Sequence, residues 1–545
     1  MLRPRRPRGE RRQAGEASGE RQWGFPAPYN GTAPGRSPGQ DRGGPDAAPA
    51  RRGTGRADDE QPSVTSAPDA PSDGRRYDLF VIGSGPAGQR GAIQAAKLGR
   101  RVGLAEMQGT LGGVCINTGT IPSKTFRQAV MELYSARERE EGHALSARTV
   151  EMQGLLSRVN HVMENEQEVA KRQLERNGVD VHWARASLVA PHRVRLEPQH
   201  PQGGPPVEVH ADHILIATGS TATRSPEIPF DGDYVLTSDD VMELERAPRS
   251  LAVVGAGVIG TEYASIFAAL GVRVVLVDKA SALLPFVDDE IVATLTYQLR
   301  RHRVTMRLNE EVSRVEVVER DGERRVRLGL ASGKQIITER ALYSIGRSGA
   351  TAGLGLEALG IEPDDRGRLA VDEYHRTAVP HIYAAGDVIG FPALAATSME
   401  QGRLAAAHAF GGPIHMQPDL LPYGIYTVPE ISMVGRTEAE LTEAGVPYEV
   451  GLARYGEIAR GQIVGDLSGL LKLLVHLETH EVLGVHIIGE GASELVHIGQ
   501  MVMGLRGVVD YFSETVFNYP TFAECYKTAA LDALNRLAVV DSLEL

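Results

Sequence analysis

The fold of this chain of 545 residues is decided by the stretch Tyr77-Asp-Leu-Phe-Val-Ile-Gly-Ser-Gly-Pro-Ala-Gly88. Its first half is a short apolar run typical of a buried strand, and its second half is the pattern Gly-x-Gly-x-x-Gly. A small-residue helix through Leu98 follows, and then a second apolar run from Arg101 to Glu106. A strand, a glycine turn, a helix and a strand ending in an acid about 20 residues on form the complete fingerprint of a dinucleotide-binding βαβ unit. The glycine pattern alone would be weak, but these neighbours make it a firm prediction.

Each part of this first fingerprint has a physical reason. Gly83 makes the tight turn, Gly85 lets a pyrophosphate approach the backbone, and Gly88 lets the helix pack closely on the strand. The helix N-terminus attracts the phosphates, and Glu106 is placed for ribose hydroxyls. The predicted contacts of the first dinucleotide are Gly83, Ser84, Gly85, Pro86, Ala87, Gly88 and Glu106.

A second complete fingerprint begins at Leu251, which starts a short apolar strand. Gly255-Ala-Gly-Val-Ile-Gly260 is its turn, Thr261 to Leu270 its helix, and Val272 to Val277 a strand that ends in Asp278. Two fingerprints in one chain imply two bound dinucleotides. The residues assigned to the second are Gly255, Gly257, Val258, Ile259, Gly260, Asp278 and, further along the chain, Gly346.

The segment between the fingerprints carries a modified redox motif, Gly109-Thr-Leu-Gly-Gly-Val-Cys-Ile-Asn-Thr-Gly-Thr-Ile-Pro-Ser-Lys124. The motif has the spacing Cys-x4-Cys, but Thr120 occupies the position of the second cysteine, and a hydroxyl cannot form a disulfide. Residues 112–124 resemble the active-site segment of the flavoprotein disulfide reductases, such as dihydrolipoyl dehydrogenase and glutathione reductase, with the dithiol chemistry removed.

This resemblance implies an α/β fold with two Rossmann-like domains, which bind FAD and NAD(P), and an α+β C-terminal dimerisation domain. FAD belongs to the first fingerprint and the nicotinamide nucleotide to the second. The expected domains are a disordered tail over 1–74, an FAD-binding domain over 75–219 and 346–420, an NAD(P)-binding domain over 220–345, and an interface domain over 421–545.

Further FAD contacts follow from the same resemblance. The strand from Ala211 closes on a Thr-Gly pair, and His381-Ile-Tyr-Ala-Ala-Gly-Asp387 resembles the second FAD element of the superfamily. The alternative for Asp387 is a simple turn residue or helix cap. A helix from Leu394 to Phe410 would point its N-terminus at the flavin pyrimidine edge. The implied contacts are Gly112, Gly113, Thr120, Lys124, Thr218, Gly219, Gly386, Asp387 and Ala395.

The C-terminal segment Phe517-Asn-Tyr-Pro-Thr-Phe-Ala-Glu524 departs from the disulfide reductases as well. These enzymes have a His before Pro-Thr, paired with a Glu five residues on, which handles the thiol protons. Here Tyr519 takes the place of the His, while Glu524 is kept. The resemblance implies a homodimer, or a larger homo-oligomer, in which the segment with Tyr519 reaches the flavin of the other subunit.

Loss of both the second thiol and the His leaves the flavin only its nicotinamide surface for electron exchange. With Tyr423-Gly-Ile-Tyr-Thr-Val-Pro-Glu-Ile-Ser432 added, residues 76–540 resemble the soluble, Si-specific NAD(P)+ transhydrogenases. Val114-Cys-Ile-Asn117 is closer to the dihydrolipoyl dehydrogenase form. The implied reaction is ping-pong hydride transfer from NADPH through flavin N5 to NAD+.

The catalytic pair implied by the resemblance is Lys124 and Glu262, an ion pair beside flavin N5. Lys124 would stabilise the reduced flavin, and Glu262 would hold the lysine and touch the nicotinamide carboxamide. The alternative is a surface lysine and an ordinary helix glutamate. Cys115 is either a nucleophile or redox sensor near the flavin or, as we prefer, an inert thiol without a partner.

Asp278 raises a question of nucleotide choice. An acid at this strand end binds the 2′-hydroxyl of NAD and repels the 2′-phosphate of NADP. A transhydrogenase must accept both nucleotides, so Lys279 or Arg273 is expected to compensate.

Composition limits the remaining classes of function. The chain is 42% hydrophobic and 23% charged, as in ordinary globular proteins. Residues 1–76 carry a net +4 against −12 for the whole chain, so the acidic remainder argues against nucleic acid as a partner. No uncharged apolar run is long enough to span a membrane. Two cysteines favour a reducing compartment, and we expect a cytoplasmic protein without metal.

The first 74 residues contain 11 Pro and 12 Gly, which predicts disorder. They are either a basic interaction tail or transit peptide, or a passive tail or misplaced start site, and ten acidic residues favour the passive alternatives.

Two other functions remain open. One is an NAD(P)H:quinone or dye oxidoreductase on the same scaffold, and the other is a non-enzymatic flavoprotein that senses redox state. Turnover with two nicotinamides, compared with turnover with quinone, separates these possibilities.

Overall fold

The computed structural model describes residues 75–141, 152–199, 204–414 and 420–543. The predicted tail over 1–74 lies outside these residues. Apolar strand residues account for the sheets: β1 (Arg76–Ile82) and β2 (Val102–Glu106) are almost wholly buried. Such continuous burial is typical of parallel strands that are covered on both faces.

The first sheet joins strands from two separate parts of the chain. β1 lies parallel to β2 and to β5, and β16 pairs with the other edge of β5. The first half of β3 continues the parallel sheet beside β2, whereas its second half forms an antiparallel meander with β4 and β5. The remaining bounds are β3 Asp180–Ala190, β4 Arg193–Pro198, β5 Val207–Ile216 and β16 Ile382–Ala384.

Helices α1 (Pro86–Lys97) and α7 (Ala395–Ala409) cross on one face of this sheet. The crossing is close because a Cβ added at Gly402 would lie 2.0 Å from the Ala87 carbonyl oxygen. The other helices of this part are α2 Gly113–Asn117, α3 Thr120–Glu141 and α4 Met152–Arg176.

Helix α3 begins at Thr120, because a proline is tolerated in the first turn, where its missing N–H has no helical partner. Helix α4 is rich in charged residues but buries Met152, Val159 and Leu174.

The second sheet is wholly parallel, in the order β10-β9-β8-β14-β7. Helix α5 is buried along nearly its whole length, in agreement with its apolar sequence. The bounds are β7 Val235–Thr237, β8 Ser250–Val254, α5 Val258–Ala269, β9 Arg273–Val277, α6 Asp289–Arg301, β10 Thr305–Arg307 and β14 Arg340–Tyr343.

Two small sheets accompany the second sheet. An antiparallel sheet contains β11 Val312–Arg320, β12 Glu323–Leu330 and β13 Gln335–Thr338. The chain leaves the first sheet through β6 (Ser220–Ala222) and returns through β15 (Arg347–Gly349), and these two strands pair antiparallel. The second sheet is therefore an insertion between β5 and β16 of the first.

The C-terminal part is an antiparallel sheet in the order β17-β18-β21-β20-β19. Helix α12 crosses β19 where a Cβ added at Gly451 would meet the Ala529 carbonyl oxygen at 2.1 Å. Cys525 is fully buried in this core. The bounds are β17 Tyr423–Ile425, β18 Ile431–Gly435, α8 Glu438–Glu443, β19 Tyr448–Arg454, α9 Ala459–Val464, β20 Leu470–His476, β21 Val482–Ile488, α10 Ala492–Gly504, α11 Asp510–Glu514 and α12 Glu524–Leu543.

Candidate active site

The first glycine-rich turn is shaped by close backbone contacts. Gly83 has φ 104°, and an added Cβ would lie 2.4 Å from the Ala217 carbonyl oxygen. A Cβ at Gly88 would lie 1.9 Å from the Gly83 oxygen, whereas Gly85 faces open space. Gly85 precedes α1 and has no side chain, so no cap side chain hydrogen-bonds the first N–H groups of this helix. This arrangement fits a pyrophosphate.

Glu106 anchors this turn from the end of β2. Its Oε2 accepts hydrogen bonds from the Ser84 hydroxyl at 2.6 Å and the Ser84 amide at 3.2 Å. Its Oε1 accepts one from the Gln108 amide at 2.8 Å. The Ser84 hydroxyl also accepts a hydrogen bond from the Gly112 amide at 3.0 Å, so the turn and the modified redox segment are joined. The carboxylate thus has structural partners, and its predicted role toward a ribose remains a prediction.

The modified redox segment lies directly on the turn. Gly112 and Gly113 both have positive φ, at 106° and 55°, and a Cβ at Gly113 would lie 3.0 Å from the Gly85 Cα. Cys115 is half-buried in α2, and burial raises the pKa of its thiol, although a hydrogen bond with Thr120 acts in the opposite direction. Cys115 and Thr120 therefore meet, as the two cysteines of the motif would.

The predicted pair Lys124 and Glu262 is joined in the structure. Lys124 Nζ lies 2.8 Å from Glu262 Oε2, and the side chains are 27% and 5% exposed. The second carboxylate oxygen, Oε1, accepts a hydrogen bond from the Tyr426 amide at 2.8 Å. The Tyr426 ring centroid lies 5.0 Å from Lys124 Nζ. Helices α3 and α5 and the C-terminal part thus converge on one ion pair.

Three polar contacts join α3 and α5 to the segment that follows Tyr426. Arg127 Nε donates to the Thr427 carbonyl at 2.8 Å, and its guanidinium lies 3.3 Å from Glu430. The Val428 amide donates to the Ser265 hydroxyl at 3.0 Å. Burial lowers the pKa of Arg127, which Glu430 partly opposes. Sequence reasoning missed these contacts, although the segment containing Tyr426 was already notable as a motif.

The remaining predicted FAD elements meet at the carboxyl ends of β5 and β16. The buried Thr218 hydroxyl has no hydrogen-bond partner within the described part of the chain, and Gly219 follows with φ 71°. Asp387 Oδ2 accepts a hydrogen bond from Ser220 Oγ at 2.7 Å. Gly386 is close enough to α1 that an added Cβ would lie 3.2 Å from the Ala87 Cβ. Ligands of open α/β sheets bind at such strand ends.

The N-terminus of α7 at Ala395 also lacks a side-chain cap. These features fit a dinucleotide such as FAD. The two uncapped helix N-termini can bind phosphates, Gly85 leaves open space, and the Thr218 hydroxyl is free for a ligand within the described residues.

The second glycine-rich turn repeats the construction of the first. Gly255 has φ 107°, and a Cβ at Gly260 would lie 1.8 Å from its oxygen, whereas Gly257 faces open space. Asp278 Oδ2 accepts from the Ala256 amide at 2.5 Å, as Glu106 does from Ser84. Val258 and Ile259 begin α5, which has no side-chain cap. Gly346, at φ 127°, offers open space where a Cβ would stand.

The two cations expected to compensate for Asp278 lie at different ends of β9. Lys279 follows Asp278 directly and is exposed. Arg273 begins the strand and pairs in register with Ser250, about 13 Å from the carboxyl end at ~3.3 Å per residue. Arg273 is therefore misplaced for the role, whereas Arg307 ends the neighbouring strand and its carbonyl accepts from the Asp278 amide at 3.0 Å.

Tyr519 lies apart from these contacts on an exposed segment between α11 and α12, with 72% of the residue accessible. Glu524 begins α12, and its buried Oε2 has no hydrogen-bond partner among the residues that the structure describes.

Comparison with known families agrees with this geometry. Residues 77–402 match the pyridine nucleotide-disulphide oxidoreductase family, and residues 421–530 match its dimerisation domain. The chain is 51% identical over 470 residues to a soluble pyridine nucleotide transhydrogenase of Mycobacterium bovis, covering 86% of this chain and 99% of the relative. The chain belongs to this oxidoreductase family, among its soluble pyridine nucleotide transhydrogenases. The predicted family, α/β fold class and FAD cofactor are thereby confirmed.

A second relative and two solved structures are also similar to this chain over most of its length. A soluble pyridine nucleotide transhydrogenase of Marinobacter nauticus is 44% identical over 466 residues, which are 85% of this chain and 99% of the relative. LpdA from Mycobacterium tuberculosis superposes with a TM-score of 0.77 at 27% identity, over 84% of this chain and 99% of its own. The flavoprotein disulfide reductase RclA from Escherichia coli gives 0.74 at 28%, with the same coverage.

Two further observations concern the described residues only. None of their helices is long and apolar enough to cross a membrane. They also contain no group of three or more His, Cys, Asp or Glu side chains arranged to hold a metal ion.

Proposed function

We propose that this oxidoreductase transfers a hydride from NADPH to NAD+ through the N5 atom of FAD, with Si specificity toward the nicotinamide rings and by a ping-pong sequence without a dithiol. The single observation that carries the proposal is the contrast between two neighbouring sites. The Lys124–Glu262 pair is intact beside the second glycine-rich turn, while Thr120 occupies the place of the second redox cysteine. The name of the relatives in Mycobacterium and Marinobacter supports the same reaction.

The chemistry that FAD supplies when bound is reversible acceptance of a hydride from a nicotinamide. The first glycine-rich turn and the N-terminus of α1 would hold its pyrophosphate, with Glu106 fixing the turn. Thr218, Asp387 and the N-terminus of α7 would complete the site. In the dimer, the segment carrying Tyr519 would reach the site of the other subunit.

Lys124 would stabilise negative charge beside its ammonium group, because few water molecules reach the partly buried side chain to screen it. Glu262 would keep the ammonium group in place through its 2.8 Å contact and would be available to a nicotinamide carboxamide. The reaction balances without a net proton: NADPH and NAD+ give NADP+ and NADH. No thiol oxidation enters the balance.

One nicotinamide site would serve both nucleotides in turn, at the second glycine-rich turn. Asp278 already binds the amides of Ala256 and Ala280, so its carboxylate is directed toward its own backbone. Lys279 and Arg307 would then supply positive charge for the 2′-phosphate of NADPH. This arrangement would reconcile an acid at the strand end with use of NADP.

The two alternatives make different predictions from the same scaffold. A quinone or dye oxidoreductase would turn over with a diffusible acceptor and not with a second nicotinamide. A redox sensor would turn over with neither. We propose a homodimer in the cytoplasm, where both nucleotides occur; the match to the dimerisation domain supports the dimer.

The experiment is anaerobic mixing of the holoenzyme with NADPH and either thio-NAD+ or a water-soluble quinone. We expect many turnovers with thio-NAD+ and slow reduction of quinone. Rapid quinone reduction without reduced thio-NAD+ would favour the quinone oxidoreductase. Lys124→Met should slow flavin reduction about a hundredfold without loss of FAD, since one preorganised charge contributes this much to a rate. Lys171→Met, which removes an exposed lysine of α4, is the matched control.

A further inference from the structure

One residue of the C-terminal part contacts both members of the Lys124–Glu262 pair. The Tyr426 amide donates to Glu262 Oε1 at 2.8 Å, while the ring faces Lys124 Nζ at 5.0 Å from its centroid. We propose that Tyr426 is a positioning residue for the hydride-transfer site: its amide orients Glu262, and its ring holds the Lys124 ammonium group. The inference rests on the proposed function in that this pair serves the flavin.

The ring contact restricts where the ammonium group can lie. Glu262 Oε2 lies on one side of Lys124 Nζ at 2.8 Å, Ser123 Oγ is 3.4 Å away, and the Tyr426 ring is a further neighbour. A lysine side chain has several rotatable bonds and a compact charge, so a single carboxylate would fix it poorly. A cation held over an aromatic face is attracted by the ring, and more strongly where water is partly excluded. Tyr426 therefore reduces the number of positions open to the charge.

The amide contact fixes the other partner. Each oxygen of the Glu262 carboxylate has one donor, Lys124 or the Tyr426 amide. Because Glu262 is almost completely buried, loss of either donor would leave a desolvated charge only half satisfied. The amide is a backbone group, so the segment that carries it must be held still.

The segment from Tyr426 to Glu430 is held by both helices of the site. Val428 is bonded to Ser265, one turn beyond Glu262 on α5. Arg127, on the same helix as Lys124, binds Thr427 and Glu430. The contacts that dock the C-terminal sheet on α3 and α5 therefore also align the ion pair.

The OH group of Tyr426 is not needed for this role. Burial raises the pKa of the phenol, so it stays neutral at physiological pH. Tyr426 therefore acts on Lys124 through its ring, and Phe in its place would keep the aromatic face toward the ammonium group.

The test compares Tyr426→Leu with Tyr426→Phe in the holoenzyme, by the rate at which NADPH bleaches the flavin in a single anaerobic half-reaction. We expect Leu to slow this rate about tenfold and Phe to change it less than about threefold, since Phe retains the aromatic face. Tyr297→Leu removes an exposed tyrosine of α6 and is the matched control for loss of an aromatic ring. An unchanged rate in Tyr426→Leu overturns the inference.

A double mutant separates positioning from general damage. In a Lys124→Met background, Tyr426→Leu should have no further effect, because the group that the ring positions is gone. An equal tenfold loss in that background would mean that Tyr426 acts on the fold and would contradict the inference.

A shape-conserving series applies if Tyr426→Leu does not fold. Phenylalanine analogues with increasing ring fluorination at position 426 weaken the attraction for a cation while keeping the ring shape. The rate should fall stepwise with fluorination; a constant rate contradicts the role of the ring. Only NADPH is needed in these half-reactions. If NAD+ failed to accept the hydride, the proposed function would fall, while the effect of Tyr426 would still be measured.

Discussion

The Thr120 hydroxyl lowers the pKa of the Cys115 thiol against the effect of burial, so the two side chains are neighbours at the place where this family carries its redox disulfide. One of the two sulfur atoms of that motif is replaced here by a hydroxyl. The proposed hydride exchange between nucleotides needs no disulfide at this place, in agreement with the Thr120 hydroxyl.

Restoring the sulfur should restore the disulfide. In Thr120→Cys, the two neighbouring side chains should be able to bring their Cβ atoms to the ~3.8 Å that a disulfide needs. We expect the oxidised variant to consume two equivalents of NADPH per FAD in an anaerobic titration, against one for the parent chain. Thr120→Ser, which keeps the hydroxyl, should consume one. A single equivalent in Thr120→Cys would show that the thiols cannot pair.

The thiol of Cys115 should be a poor nucleophile near neutral pH. Burial raises its pKa, so the thiolate forms only above the range of an ordinary cysteine. Alkylation of the native protein by iodoacetamide should be slow at pH 8 and should accelerate as the pH rises further. The urea-unfolded chain is the reference, and equal rates in the two states at pH 8 would contradict a buried, protonated thiol.

Nucleotide choice should depend on the two cations beside Asp278. The double substitution Lys279→Ala with Arg307→Ala should raise the KM for NADPH at least tenfold and leave that for NADH within about twofold, because only NADPH carries the phosphate that they would bind. Arg273→Ala, at the other end of β9, is the control and should change neither. Equal increases for both nucleotides would contradict this assignment. Steady-state kinetics with each nucleotide and a common acceptor provides the measurement.

The junction between the second sheet and the C-terminal sheet should depend on Lys472. This lysine is fully buried, lies 2.9 Å from Asp288 and 3.4 Å from Glu290, and also contacts Glu438. Burial lowers its pKa, but its hydrogen bonds to Glu438 and Asp288 outweigh that effect and raise it. Lys472→Met should reduce the apparent stability by about 3–5 kcal/mol, because it leaves the buried Asp288 carboxylate uncompensated.

Thermal unfolding of the holoenzyme would measure that loss of stability. Lys171→Met, at an exposed pair on α4, should leave the unfolding midpoint within a degree or two. A similar midpoint for both variants would mean that the buried network contributes little.

Local chemistry explains why much of the site was predictable from sequence. Gly83 and Gly255 have positive φ and lie against a neighbouring carbonyl, which only glycine tolerates. Sequences that bind a dinucleotide in this way therefore carry glycines at a fixed spacing. Lys124 and Glu262 are 138 residues apart, and their pairing followed from family resemblance and not from local pattern.

Contacts that depend on tertiary packing were beyond prediction. The Tyr426 backbone amide hydrogen-bonds Glu262, which lies 164 residues earlier in the chain. Because every residue except proline has such an amide, the residue type gives no sign of this contact. The expected role of Arg273 beside Asp278 was wrong. The two residues are close in sequence, but the extended strand β9 separates them, so Arg273 lies at the opposite end of the sheet. Arg307 was missed for the complementary reason, since it joins Asp278 only through strand pairing.

Hydride transfer between nucleotides can be observed by itself in the isolated second half-reaction. The holoenzyme is reduced anaerobically with one equivalent of NADPH, freed of nucleotide by gel filtration and then mixed with NAD+ alone. We expect one NADH per FAD and full return of the oxidised flavin spectrum. A flavin that stays reduced with NAD+, and reoxidises only when a quinone or a dye is added, would contradict hydride transfer between nucleotides.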